Sequence, residues 1–201
     1  MTPRLIAISG GIGSGKSVVC NILHTLGYTI YDCDYMAKNI MDNSDIIKKS
    51  IATEISQDAI TTTGDIDRKI LAEIVFNDSN KLNILNSIVH SAIKDNIIKW
   101  KTINANQKLL FIETAILYQS GLDKIVSDVW EIHAPENIRI KRVMERNHIS
   151  KEQVIARINS QQISDIELHP NTHIIINDNK TPIIPQIQRL LYYNLPKTKS
   201  L

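Results

Sequence analysis

Four of the chain's seven glycines fall within six positions, Gly10, Gly11, Gly13 and Gly15, and they lead directly into Lys16 and Ser17. The run fits GxxxxGK[ST] without a gap. Successive backbone amides at the start of a helix are a dense donor array for a polyphosphate, and the helix dipole favours an anion there. Gly10, Gly13 and Gly15 permit positive backbone angles and place no Cβ between amide and phosphate. The pattern assigns Gly11, Gly13, Ser14, Gly15, Lys16, Ser17 and Val18 to a nucleoside triphosphate. Lys16 would reach the β and γ phosphates and the Ser17 hydroxyl would ligate magnesium.

Hydrolysing machines, phosphotransferases and nucleotide-dependent switches share such a loop, so a second substrate has to be sought elsewhere. Asp32 and Asp34 are expected to end a strand beside the loop, where a carboxylate can accept a hydroxyl proton or hold magnesium through water. Asp34 also reads as the cap of the helix that follows. Arg139, Arg142 and Arg146 recur at i, i+3 and i+7, with Arg157 further on. Guanidinium groups on a helical flap neutralise a transferring phosphoryl group and exclude water, while the same spacing also suits a solvated face paired with Glu136 and Glu145. Asp65, Asp67 and Arg68 lie by a glycine turn in TTGDIDRKIL, and His90 sits between apolar neighbours.

The elements that position these residues follow from periodicity. RLIAIS is a short apolar run ending in glycines, and KSVVCNILHTLG follows with Val18, Val19, Ile22, Leu23 and Leu26 on one helical face and Gly27 as the stop. YTIYDCD reads as a second strand. The stretch before the next strand, KLLFIET, is too long for a plain crossover and helical throughout, in YMAKNIM, DIIKKSIATEI, DRKILAEIVF and LNILNSIVHSAIKDNIIKW. SDVWEIHA and THIIIN read as further strands, PENIRIKRVMERN and SKEQVIARINSQQ as helices, and PIIPQIQRLLYYNL as a closing helix with Pro182 near its start. Strands alternating with helices argue for a parallel sheet covered on both faces, with ligands outside the carboxyl ends of its strands.

A net charge of +2 from 23 basic and 21 acidic residues offers no strong drive toward nucleic acid or a membrane surface, so small-molecule partners are expected. Cys20 and Cys33 have neither the number nor the spacing of a disulfide framework or zinc site. MTPRLIAISGG lacks the features of a signal peptide, and no apolar run reaches the ~18 residues of a membrane span; a cytoplasmic location is expected.

SGGIGSGKS, YDCD, GDIDRKILAEIVFND, ILNSIVHSAI, ETAILYQSGLDKIVSDVW, RIKRVMERNHISKEQVIARINSQ and IIIND, in this order and spacing, resemble the dephospho-CoA kinase family over nearly the whole chain. The resemblance implies transfer of the γ-phosphate of ATP, with Mg2+, to the ribose 3′-hydroxyl of dephospho-coenzyme A, giving coenzyme A. It implies that Asp34 acts on the hydroxyl with support from Asp32, that Ser9, Arg68 and His90 bind substrate, that Arg142 and Arg146 are lid arginines, and that Asn177 lies near the adenine. Ser9 stands where threonine is usual, Ser91 for the proline of a His-Pro pair, Ala115 and Gln119 for a proline and a glutamate, and Thr172 for an aspartate. These departures leave the phosphate residues intact and fall mostly around the acceptor.

The expected architecture is an α/β P-loop kinase core with a parallel five-stranded sheet of order 2-3-1-4-5. Its segments are about 1–32, 107–138 and 165–201, with a helical acceptor-binding insert at about 33–106 and a lid at about 139–164. Expected catalytic residues are Lys16, Asp34 and Arg142. Expected partners are ATP and dephospho-CoA, with a monomer or weak homo-oligomer as the assembly.

Overall fold

β1 (Arg4–Ser9) is buried from Leu5 onward and lies at the centre of a five-stranded sheet. The computed structural model describes residues 2–161 and 167–194; positions 162–164 of the expected lid and 165–166 and 195–201 of the expected core lie outside these. The strand order is β2 (Ile30–Asp32), β3 (Leu109–Glu113), β1, β4 (Asp128–His133), β5 (Thr172–Ile176), as the sequence reading has it. β1 pairs in parallel with β3 and with β4, and β4 with β5. The central strands β1 and β3 are near-continuous apolar runs whose residues are buried on both faces of the sheet. On one face Ile6, Ile8, Phe111, Trp130, Ile132 and Ile175 pack with α1 (Lys16–Thr25) and α8 (Ile183–Asn194). Phe111 meets Trp130 edge-on at 5.2 Å between ring centroids, a favoured aromatic geometry.

α1 buries Val19, Cys20 and Leu23, whereas Val18 and Leu26 are 48% and 52% exposed. The expected five-residue apolar face is therefore rotated. Val18, Ile22 and Leu26, one row at i, i+4 and i+8, form its shoulder, and Cys20 completes the buried stripe. The helix ends where expected: Gly27, at φ 87°, donates to His24 O and Tyr28 donates to Leu23 O, the paired bonds of a Schellman stop.

Contacts divide the chain into one unit of Met1–Tyr31 with Ile103–Leu201 and a second of Asp32–Thr102. The second unit holds α2 (Cys33–Asn43), α3 (Asp45–Glu54), α4 (Arg68–Asn77) and most of α5 (Ser79–Ile103), around Ile47, Ile51, Ile55, Ala59, Leu71 and Val75. Its helices start at side-chain caps. Asp67 accepts from Lys69 N and Ile70 N, both at 3.0 Å, and Ser44 from Ile47 N.

β2 is shorter than YTIYDCD suggests. α2 begins at Cys33, and Asp32 is its cap, accepting from Tyr35 N at 2.9 Å. Asp34 is thus not the end of a strand but a residue of the first helical turn, and the capping role considered for Asp34 belongs to Asp32.

In the first unit, α6 (Glu136–Asn147) and α7 (Lys151–Asn159) enclose a small cluster of Ile140, Val143, Val154 and Ile158. Ile12, from the glycine run, packs against that cluster. A capping box of Ser150 and Gln153 starts α7.

Candidate active site

The glycine run joins β1 to α1 at the carboxyl end of the sheet's central strand. Gly10, Gly13 and Gly15 adopt φ values of 144°, 78° and 101°, a conformation that disfavours any side chain. A second cause is packing: a Cβ on Gly13 would stand 2.7 Å from Arg139 O, and one on Gly15 would collide with the Asn177 side chain. The loop carries glycine for what lies behind it as well as for what it faces.

What lies behind is a set of donors that grip carbonyls. Arg139 Nε donates to Ile12 O at 2.9 Å, Asn177 Nδ2 to Ser14 O at 2.7 Å, and Arg142 Nη1 to Ser14 O at 3.2 Å and Gly13 O at 3.4 Å. In a trans peptide the N–H points opposite to the C=O. Fixing Ile12 O and Ser14 O on the helix side therefore turns the amides of Gly13 and Gly15 away from it. Neither amide, nor that of Ser17, has a protein acceptor among the described residues. Ile12 N is the exception in the run, donating to Gln161 Oε1 at 2.7 Å.

Arg142 also donates through Nη2 to Asn177 O at 3.2 Å, to Asn177 Oδ1 at 3.0 Å and to Asn179 Oδ1. Asn177 is itself buried, and its backbone amide bonds to His133 O at 2.8 Å, extending the β4 to β5 ladder. Arg146 is exposed and donates to its neighbour Asn147, so of the three spaced arginines Arg139 and Arg142 meet the loop. Arg157, on α7, is exposed.

Lys16 Nζ donates to Gly10 O at 2.7 Å, folding the side chain back over the loop. Ser17 Oγ donates to Glu113 Oε1 at 3.4 Å. Glu113 closes β3 one strand away from β1, in register with Ile8. A hydroxyl and a carboxylate side by side are hard oxygen donors of the kind magnesium takes, so this donor set fits a divalent ion.

Ser9, expected at the substrate, is 5% exposed and stands in register with Glu131 of β4. It is enclosed by the fold. Val18 opens α1 on its exposed shoulder. In the second unit, Arg68 Nη2 donates to Asp42 Oδ1 at 2.8 Å on an exposed surface, and Asp65 pairs with Lys48 at 2.8 Å. The Lys48 bond holds the Asp65 carboxyl below its ordinary value. His90 is half-buried on α5, and burial lowers its pKa, favouring the neutral ring. Glu113, Asn179, Gln161 and Glu131 carry no sign in the sequence of a place at the site, because the groups they meet or face lie far away in the chain.

Residues 4–182 match the family model described as dephospho-CoA kinase. The chain belongs to the dephospho-CoA kinase family. Family members from Bacteroides fragilis and Dehalococcoides mccartyi, both named dephospho-CoA kinase, are 31% and 36% identical to it, the first over 94% of this chain and 91% of the relative, the second over 88% and 89%. A solved structure of a dephospho-CoA kinase from Campylobacter jejuni superimposes with a TM-score of 0.66 at 28% identity, covering 94% of this chain and 95% of that one. A Thermus thermophilus structure gives 0.73 at 27%, covering 96% of each. As a dephospho-CoA kinase family member built on a P-loop kinase core, the chain is a kinase of the terminal phosphorylation step in coenzyme A biosynthesis. Among the described residues no helix is long and apolar enough to cross a membrane.

Proposed function

We propose that the enzyme transfers the γ-phosphoryl group of ATP in line onto the 3′-hydroxyl of the dephospho-CoA ribose. The hydroxyl oxygen bonds to the γ-phosphorus, the bond from that phosphorus to the β–γ bridging oxygen breaks, and ADP leaves. The hydroxyl proton passes to the Asp34 carboxylate, while Asp32 fixes Asp34 in its helical turn by capping α2.

The observation that carries this reading is the loop itself. Gly13 and Gly15 present their amides away from Arg139, Arg142 and Asn177, and Lys16 and Ser17 open the helix whose dipole favours the phosphates. Lys16 exchanges Gly10 O for the β and γ phosphates and stabilises charge as it spreads over the transferring group. Ser17 and Glu113 would hold Mg2+, which supplies charge neutralisation between the phosphates when bound. Arg142 and Arg146 serve the nucleotide from α6, and Asn177 lies by the adenine.

Arg68 and His90 belong to acceptor binding in the helical unit. Arg68 gives up an exposed ion pair with Asp42, an interaction of small net value, to take a substrate phosphate. A cytoplasmic enzyme acting on these two small molecules is the accompanying reading. The test is a coupled assay with ATP, magnesium and dephospho-CoA beside adenosine and AMP, with the product identified by mass. Coenzyme A formed from dephospho-CoA alone supports the reading, and phosphorylation of another acceptor in its place overturns it.

A further inference from the structure

Among the described residues two that are not glycine take a positive φ: His148, at 52°, ends α6, and Asn179, at 65°, stands in the loop from β5 to α8. Asparagine tolerates the left-handed region better than most residues, so the backbone there suits asparagine or glycine. The side chain adds something glycine lacks. Its Oδ1 accepts from Arg142 Nη2, on α6.

The turn that carries Asn179 is fixed on both sides. Before it, Asn177 N bonds to His133 O at 2.8 Å. Around it, Asp178 Oδ1 accepts from Lys180 N at 2.9 Å and Thr181 N at 2.7 Å, and Asp178 Oδ2 accepts from Thr181 Oγ1 at 3.2 Å. Arg142 meets this turn with one end of its fork and the phosphate loop with the other. Nη1 reaches the loop at the long end of the hydrogen-bond range, 3.2 Å from Ser14 O and 3.4 Å from Gly13 O. Nη2 donates to Asn177 Oδ1 at 3.0 Å, to Asn177 O at 3.2 Å and to Asn179 Oδ1. A guanidinium is planar and rigid, so what fixes Nη2 also fixes Nη1. Asn177 is buried and extends the sheet ladder, whereas Asn179 is exposed and reaches the fork from the turn.

From this arrangement we infer that Asn179 is a positioning residue for nucleotide binding: its side-chain oxygen holds the Arg142 fork on the carbonyls of Gly13 and Ser14, and so keeps the phosphate loop in shape from outside it. The inference rests on nucleotide binding at the loop. Arg142 has a long side chain with much rotamer freedom, and each acceptor that restrains it in the free protein lessens what binding must order. Removing Asn179 Oδ1 leaves Nη2 with acceptors from Asn177 alone among the described residues and lets the weaker Nη1 contacts loosen. The effect on the nucleotide therefore passes through Arg142.

Calorimetric titration of magnesium–ADP into the full chain and its variants tests this. Asn179→Gly keeps the left-handed backbone and removes the acceptor, so backbone strain is not in play. Its Kd is expected to rise about threefold to tenfold, the scale of one hydrogen bond. Asn179→Asp keeps an acceptor and tolerates the same backbone, and it is expected to bind more tightly than Asn179→Gly. A double-mutant cycle with Arg142→Lys, which keeps the charge and loses the fork, locates the effect. In that background Asn179→Gly is expected to change Kd by less than about twofold.

An unchanged Kd in Asn179→Gly overturns the inference while leaving the nucleotide site standing. So does an equal loss with and without Arg142→Lys, because Asn179 then acts on the nucleotide or the fold independently of Arg142. Should Arg142→Lys fail to fold or to bind ADP, Asn179→Gly against Asn179→Asp decides: recovery of affinity in the second supports the inference, and equal loss in both overturns it. Absence of ADP binding by the wild-type protein overturns the site and the inference together.

Discussion

Asn177 and Arg142 hold the same carbonyl from two directions: Asn177 Nδ2 donates to Ser14 O at 2.7 Å, Arg142 Nη1 donates to it at 3.2 Å, and Arg142 Nη2 closes the triangle on Asn177 Oδ1 at 3.0 Å. One peptide of the phosphate loop is thereby tied to the end of β5 and to α6, so changes in either are felt at the loop.

Asn177→Ala removes a buried amide that satisfies Ser14 O and Arg142. It is expected to cost about 1–3 kcal/mol of stability. Thermal unfolding measures this, and kinetics in the same preparation should show a raised KM for ATP, because the Gly15 amide loses its restraint.

Lys16→Ala is expected to lower kcat by about 10²–10³-fold, the usual loss when one preorganised charge stabiliser is removed. Lys16 lies on an exposed to half-buried helix start, so circular dichroism and the melting temperature should match the wild type. An active variant sinks the phosphate-loop assignment.

Asp34→Asn keeps the shape of the first turn of α2 and removes the proton acceptor. A loss in kcat of about 10²–10⁴-fold with little change in KM for ATP is expected. Steady-state kinetics with ATP varied at saturating dephospho-CoA provides the measurement.

Glu131→Gln has a signature in stability. Burial raises the folded-state pKa above the unfolded value, so the native protein keeps a proton that the unfolded chain has lost. Stability from this group is complete below the unfolded value and is lost as pH rises through the folded one. The variant should therefore melt higher than the wild type at neutral pH, and the difference should shrink in acid below the ordinary glutamate range.

Gly27 and Gly13 separate two reasons for glycine. Gly27 has φ 87° and open space around its missing Cβ, so Gly27→Ala should cost about 1–2 kcal/mol in urea unfolding and spare activity. Gly13→Ala adds a clash with Arg139 O and should abolish ADP binding measured calorimetrically.

The loop was legible because its glycines, Lys16 and Ser17 are neighbours in the chain, and the sheet because each strand is a short apolar run between turns and helices. Asp32 ends its strand as expected, but Asp34 was misplaced by two residues: YTIYDCD alternates as a strand does, and only the bond from Tyr35 N shows that Asp32 also caps a helix that begins at Cys33. Val18 and Leu26 fit the apolar face of α1 by period, but burial centres on Cys20 as well. Arg142 was visible as a spaced arginine, yet most of its acceptors are main-chain carbonyls, which every residue has. Glu113 meets Ser17 across roughly a hundred residues of chain and Glu131 stands in register with Ser9 from another strand, and a carboxylate inside a strand carries no local sign of what lies beside it.

The grip of Arg139, Arg142 and Asn177 on the loop's carbonyls also bears on the entropy of binding. A flexible glycine-rich segment would lose backbone freedom when a phosphate ordered it, at about 1–2 kcal/mol per residue fixed. Here Ile12, Gly13 and Ser14 are already tethered through their oxygens, so that loss is incurred in folding. Weakening these tethers would reduce affinity through backbone entropy even at positions where no side chain touches the ligand.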